Sequence, residues 1–247
     1  MNPSSPASPV LSCRGVVKSY GSVHALAGVD LQIRAGESVA VMGPSGSGKT
    51  TLLHVLSGII TPDRGEVVLS GADGVVQELT GQSEEQRARL RRERLGFVFQ
   101  EGLLLPELTA RENVAMPLML RGVARGQAET TAARWLAALG LEGMEDRRPG
   151  ELSGGQRQRV AIARAQAGDP DVVFADEPTG ALDSDTSEAV LSSLIGSTVS
   201  RGRTLVVVTH DPTVAASCSR LVRVRDGRIE SDELQRGGAD ALDGQVL

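Results

Sequence analysis

Along the chain, short apolar runs alternate with amphipathic stretches. Between residues 10 and 34, apolar and polar positions alternate around the turn Tyr20-Gly21-Ser22, a period of two that predicts half-buried strands, with Leu31-Gln32-Ile33 as one of them. Ser38 to Met42 is a short apolar strand that runs straight into a glycine-rich loop. Leu52, Leu53 and Leu56 then mark the apolar face of a helix stopped by Gly58, and Glu66 to Leu69 predicts another strand. Ser83 with Gln86, and Thr109 with Glu112, are capping boxes that open helices; the first helix is very basic and ends near Arg94. Phe97-Val98-Phe99 is a strand ending at Gln100. Residues 101–165 read as mainly helical, with one helix over Thr130 to Leu139 stopped by Gly140. Strands at 172–175, 205–209 and 220–225 then alternate with helices at 184–200 and 212–218, and Asp226-Gly227 makes a turn. This alternation, with uninterrupted apolar strands, predicts an α/β core on a parallel sheet. Residues 10–230 are expected to form a single domain. Residues 1–9, rich in Pro and Ser, read as a disordered tail, and residues 231–247, polar and aperiodic, as a flexible one.

Composition narrows the class. The 247 residues, 40% hydrophobic and 23% charged, suit one globular domain with an inserted subdomain. A net charge of -5 argues against nucleic acid as the main partner, because a phosphate backbone is gripped by a basic surface. Cys13 and Cys218 are far apart and lack metal-type spacing, which fits a reducing, cytosolic setting. No run approaches the length of a membrane span, and Met1 to Pro9 lacks the apolar centre of a secretory signal, so the expectation is a chain kept in the cytosol. The arginine-rich stretch Arg87, Arg89, Arg91, Arg92 and Arg94 reads first as a solvated helix face; contact with acidic headgroups or an acidic partner loop is the sharper alternative.

Candidate chemistry gathers at strand ends. Gly43-Pro44-Ser45-Gly46-Ser47-Gly48-Lys49-Thr50 has the glycines to curl consecutive backbone amides around phosphate oxygens, at the N-terminus of a helix whose dipole favours the same anion. Lys49, one of only two lysines, would reach the β- and γ-phosphates; Thr50 would ligate Mg²⁺, and Thr51 joins the nucleotide-binding set. The strand Val172 to Ala175 delivers Asp176 and Glu177 to the same sheet edge. Asp176 is expected to hold Mg²⁺, through water, and Glu177 to polarise the attacking water. Gln100 and His210 also end strands; the first could reach Mg²⁺ and the water, the second the γ-phosphate. His24 and His54 read as structural. Tyr20, the only tyrosine, could stack on adenine or be a packed core or hairpin aromatic.

Ser153 with Gln156 is a third capping box, and Ser153-Gly154-Gly155-Gln156 forms a second helix N-terminus with open amides, hence a second anion site. One chain has no use for two γ-phosphate cradles, whereas a two-fold, head-to-tail homodimer does, each chain giving its phosphate loop to one ATP and this helix to the other. Asp183, a short loop beyond Glu177, falls where such a dimer contact would lie and is counted with the nucleotide-binding residues.

In this order, the residues resemble the ATP-binding cassette family from about 11 to 230: Tyr20, the phosphate loop, Gln100, Leu152-Ser153-Gly154-Gly155-Gln156, the run from Ala175 to Asp183, and His210. Phe97 to Gln100, Leu104-Leu105-Pro106 and Leu108 to Val114 look like the branch of lipoprotein-release, macrolide-export and cell-division ATPases. Two positions depart from it: Ala181 stands where that branch usually has Asn, and Gln166 where an apolar residue is usual. The resemblance implies a RecA-like P-loop NTPase core, an N-terminal antiparallel β subdomain and an inserted helical subdomain near 101–165. It further implies a MgATP-hydrolysing subunit at the cytoplasmic face of the membrane, working on a separate integral membrane permease and most like an exporter subunit. An ATP-driven regulator of a membrane partner, or a cassette ATPase outside transport, remain as alternatives.

Overall fold

The computed structural model describes residues 9–71, 74–100 and 102–235. In chain order the elements are β1 (Pro9–Tyr20), β2 (Val23–Arg34), β3 (Ser38–Met42), α1 (Lys49–Leu56), β4 (Arg64–Ser70), β5 (Val76–Glu78), α2 (Glu84–Arg94), β6 (Leu95–Phe99), α3 (Ala110–Leu120), α4 (Arg125–Ala138), α5 (Gly154–Ala167), β7 (Val172–Asp176), α6 (Ser184–Thr198), β8 (Thr204–Val208), α7 (Pro212–Ala216), β9 (Arg220–Arg225) and β10 (Arg228–Leu234).

Two sheets result. The first, in order β2-β1-β4-β5, is antiparallel, and its β1–β2 hairpin turns at Gly21, where φ is 60°. The second runs β10-β9-β3-β8-β7-β6 and is parallel except for the β9–β10 hairpin at the edge. Alternate residues of its inner strands feed different clusters. Val39, Val41, Val172, Phe174, Val206 and Val208 pack with α1 and the antiparallel sheet, whereas Ala40, Val173, Ala175, Leu205 and Val207 pack with α3, α4, α5 and α6. Both faces are therefore buried, which is why these strands read as uninterrupted apolar runs.

The chain is thus an α/β P-loop fold with a RecA-like core, an antiparallel β sheet and the helices α3 and α4 inserted between β6 and α5. All three capping boxes form with both reciprocal hydrogen bonds, at Ser83, Thr109 and Ser153. Three expectations need correction. Pro9 pairs with Arg34, so it belongs to β1 rather than to a tail; residues 1–8 lie outside the described residues. Ser231 to Leu234 pair with β9, so the sheet claims the first part of the expected C-terminal tail, and residues 236–247 lie outside the described residues. Helix α4 starts at Arg125, five residues before Thr130; its N-cap, Ala124, makes no side-chain bond, and the Arg125–Glu129 ion pair one turn on braces it instead. The departure at Gln166 is satisfied locally: its buried amide donates to the hydroxyls of Thr198 and Ser197.

Candidate active site

The sheet order puts β3, β8, β7 and β6 side by side, and all four point their carboxyl ends the same way. The phosphate loop, His210, the Asp176-Glu177 pair and Gln100 follow those four ends in turn. Val41 is registered with Val208, Val208 with Asp176, and Asp176 with Phe99, so the groups start level across the edge.

Two glycines of the loop are required by close approach. A Cβ on Gly43 would fall 2.0 Å from the Val224 carbonyl oxygen, and one on Gly48, at φ 103°, 2.2 Å from that of Ala25. Gly227 of the β9–β10 turn donates its N–H to the Ser47 carbonyl at 3.0 Å and accepts from Ala27 N–H at 2.8 Å, clamping the loop between both sheets. The Lys49 ammonium donates to the carbonyls of Gly43 at 2.8 Å and Pro44 at 2.9 Å, which holds it over the loop. Ser45, Gly46, Gly48, Lys49, Thr50 and Thr51 line a cleft of about 540 Å³ together with Glu177, His210, Val23 and Ala25.

Glu177 sits at φ 47°, a left-handed conformation uncommon for a residue with a Cβ. Its Oε1 lies 2.8 Å from Nδ1 of His210, and its N–H donates to the Val208 carbonyl at 2.9 Å. The Glu177 side chain is largely shielded, whereas His210 is open to the cleft. Burial pushes the Asp176 carboxyl above its ordinary value; nearby His54 opposes this, Glu177 adds to it, and the Thr50 hydroxyl and Lys49 oppose it. Asp176 Oδ1 is buried without a hydrogen-bond partner. An unsatisfied carboxylate oxygen beside a threonine hydroxyl is a donor set that a hard cation such as Mg²⁺ fits.

The other expected residues lie farther out. Gln100 is outside the cleft lining, its amide resting on Gly180, where a Cβ would meet Nε2 at 3.0 Å. Tyr20 stands half exposed at the tip of the β1–β2 hairpin, a hairpin aromatic rather than one packed in the core. Ser153, Gly154, Gly155 and Gln156 open α5 away from the cleft, packed on Leu182 and Thr186. Asp183 caps α6 by accepting from Thr186 N–H at 3.0 Å, and that bond holds its carboxyl below the usual range. Two neighbours escaped the sequence reading. His54, read as structural, acts electrostatically on Asp176; it lies four residues after Thr50 on α1, and that spacing was the available signal. Thr209, which reaches Glu177, had none.

A model of the ABC transporter family matches residues 26–180. The chain belongs to that family. This ABC cassette is 44% identical over 227 residues to the lipoprotein-releasing system ATP-binding protein LolD of Chromohalobacter salexigens, covering 90% of this chain and 94% of that protein. It is 42% identical over 228 residues to the macrolide export ATP-binding/permease protein MacB of Marinobacter nauticus, covering 91% of this chain but 34% of that longer protein. Among solved structures, a dimeric post-hydrolysis state of the ATP-binding cassette MJ0796 bound to ADP and Pi superposes with a TM-score of 0.82 at 39% identity, over 92% of this chain and 99% of that one. The cassette is therefore a nucleotide-binding ATP hydrolase.

Proposed function

We propose that this cassette is the ATPase subunit of a membrane transporter of the lipoprotein-release and macrolide-export type, acting as a homodimer at the cytoplasmic face of the membrane on a separate permease. The observation that carries the reading is the convergence of the phosphate loop, Glu177 and His210 on one cleft, with Asp176 beside Thr50, in a chain that aligns with LolD over nearly its whole length. Among the described residues, no helix is long and apolar enough to cross a membrane.

In this reading the backbone amides between Gly43 and Thr50, with the Lys49 ammonium, take the β- and γ-phosphates. Thr50 and Asp176 hold Mg²⁺, which supplies charge neutralisation to the phosphates when bound. Glu177 accepts the proton of the attacking water, and His210, fixed against it at 2.8 Å, faces the γ-phosphate. Gln100, beside Gly180, relates the cleft to α3 and α4. Tyr20 offers its exposed ring to adenine. Because Ser153, Gly154, Gly155 and Gln156 lie outside the cleft of their own chain, they serve the nucleotide of the second copy, with Asp183 at the seam.

The test is to purify the Glu177→Gln chain from its native membranes with MgATP and identify what accompanies it. A dimeric cassette bound to a permease, with ATP retained, is expected. Ribosomal proteins or nucleic acid with no membrane protein would replace the transporter reading by a soluble cassette ATPase. Turnover equal to that of the unaltered chain would remove Glu177 as the base.

A further inference from the structure

Three consecutive residues at the end of β8 hold Glu177. Val208 takes its N–H at 2.9 Å, His210 Nδ1 meets Oε1 at 2.8 Å, and the Thr209 hydroxyl reaches Oε2 at 3.4 Å. The middle contact is the longest, and it is made by a residue only 1% exposed. Thr209 Oγ1 already accepts the Asp211 N–H at 3.0 Å, which leaves its own hydrogen to place. A buried hydroxyl that donates to nothing is costly, and Glu177 Oε2 is the acceptor within reach. The backbone of Thr209 is itself fixed, its N–H donating to the Val41 carbonyl at 3.1 Å on the strand that carries the phosphate loop.

We infer that Thr209 is a positioning residue for ATP hydrolysis: its hydroxyl sets the rotation of the Glu177 carboxylate relative to the phosphate loop. A carboxylate held at one oxygen by His210 can still swing about that contact. A second donor on the other oxygen stops the swing, and it does so from a strand registered directly against β3. The backbone of Glu177 at φ 47° is stabilised by the same β8 end, so main chain and side chain are aligned from one source. The inference rests on the reading of Glu177 as the base.

The experiment is steady-state ATPase kinetics on the full-length chain carrying Thr209→Val, Thr209→Ala or Thr209→Ser, with Tm recorded for each. Loss of the hydroxyl in Val and Ala is expected to lower kcat about tenfold, in line with misplacement of a proton acceptor. KM for ATP is expected to stay within about twofold, since the phosphate loop is untouched. Ser, which keeps the hydroxyl, is expected to restore kcat. Should Val not fold, the Ala and Ser pair reads the same contrast without the β-branched bulk. Unchanged kcat in Val and Ala, an equal fall in Ser, or a fall accompanied by a matching rise in KM would each overturn the inference. Glu177→Gln separates the two levels. If it abolishes turnover while Thr209→Val does not, only the positioning role fails; if it leaves turnover intact, the base reading fails first.

Discussion

A methyl group on Gly155 would fall 2.3 Å from Cγ2 of Thr186, so α5 meets α6 with no room for even the smallest side chain. Thr186 cannot turn away freely, because its hydroxyl donates to Asp183 at 2.8 Å and its N–H to the same carboxylate. Gly155→Ala should therefore destabilise the chain by about 1–3 kcal/mol, the usual cost of overpacking, although alanine is the better helix former. Gly196, inside α6, has open space around a would-be Cβ, and there the same change should stabilise by about 0.5–1 kcal/mol. Urea unfolding of the two variants side by side gives opposite shifts of the midpoint if the contact governs; shifts of the same sign would refute it.

Asp176 carries a pH signature. The native chain holds the Asp176 proton more tightly than the unfolded chain, so between its ordinary value of 3.8 and the raised one the native state binds more protons. Stability contributed at this site falls as pH rises through that window, and the full cost persists above it. Without nucleotide or Mg²⁺, Asp176→Asn should raise Tm at neutral pH and, with Asp176 as the proposed Mg²⁺ ligand, should gain less than the unaltered chain when ATP and Mg²⁺ are added. Equal Tm values with and without the carboxylate would show that its burial is costless.

The two cysteines should be silent. Burial pushes both the Cys13 and the Cys218 thiol up to about 12. At pH 8 only about one thiol in ten thousand is then ionised, and the thiolate is the reactive form. Iodoacetamide labelling of the native chain should proceed at the rate of unfolding and rise with urea. Fast labelling in native buffer at either position would contradict this.

Trp135 is the only tryptophan, and its ring lies 4.8 Å from the Arg201 guanidinium carbon. The contact joins α4 to the turn after α6. Arg201→Ala should shift the emission maximum and cost about 0.5–1 kcal/mol. An unchanged emission spectrum would mean that the contact is not populated in solution.

What could be read from the chain was whatever depends on nearby residues. The phosphate loop, the three capping boxes and the β7 carboxylates are patterns a few residues long, and each appears in the structure where its residues predict. Strand β5 escaped because Val76 to Glu78 is only three residues, has no buried face and is paired with β4 alone. Ser231 to Leu234 escaped because an edge strand keeps polar residues, so its sequence looks like a tail. Thr209 escaped for a deeper reason. Its contact with Glu177 depends on which strand lies beside which, and no local pattern says that β8 separates β3 from β7.

The clamp on Ser47 also bears on the order of synthesis. The phosphate loop is complete in sequence by Thr50, yet β3 is flanked by β8 and β9, and the amide that closes on Ser47 comes from Gly227. During translation the loop must wait until Gly227 has been made before its neighbours exist. Its contact with Gly227 joins residues far apart in sequence, the kind that form late and slowly. A nascent or truncated chain ending before the β9–β10 hairpin would carry every residue of the loop without the amide that closes on Ser47, so the loop is fully braced only once synthesis has passed Gly227.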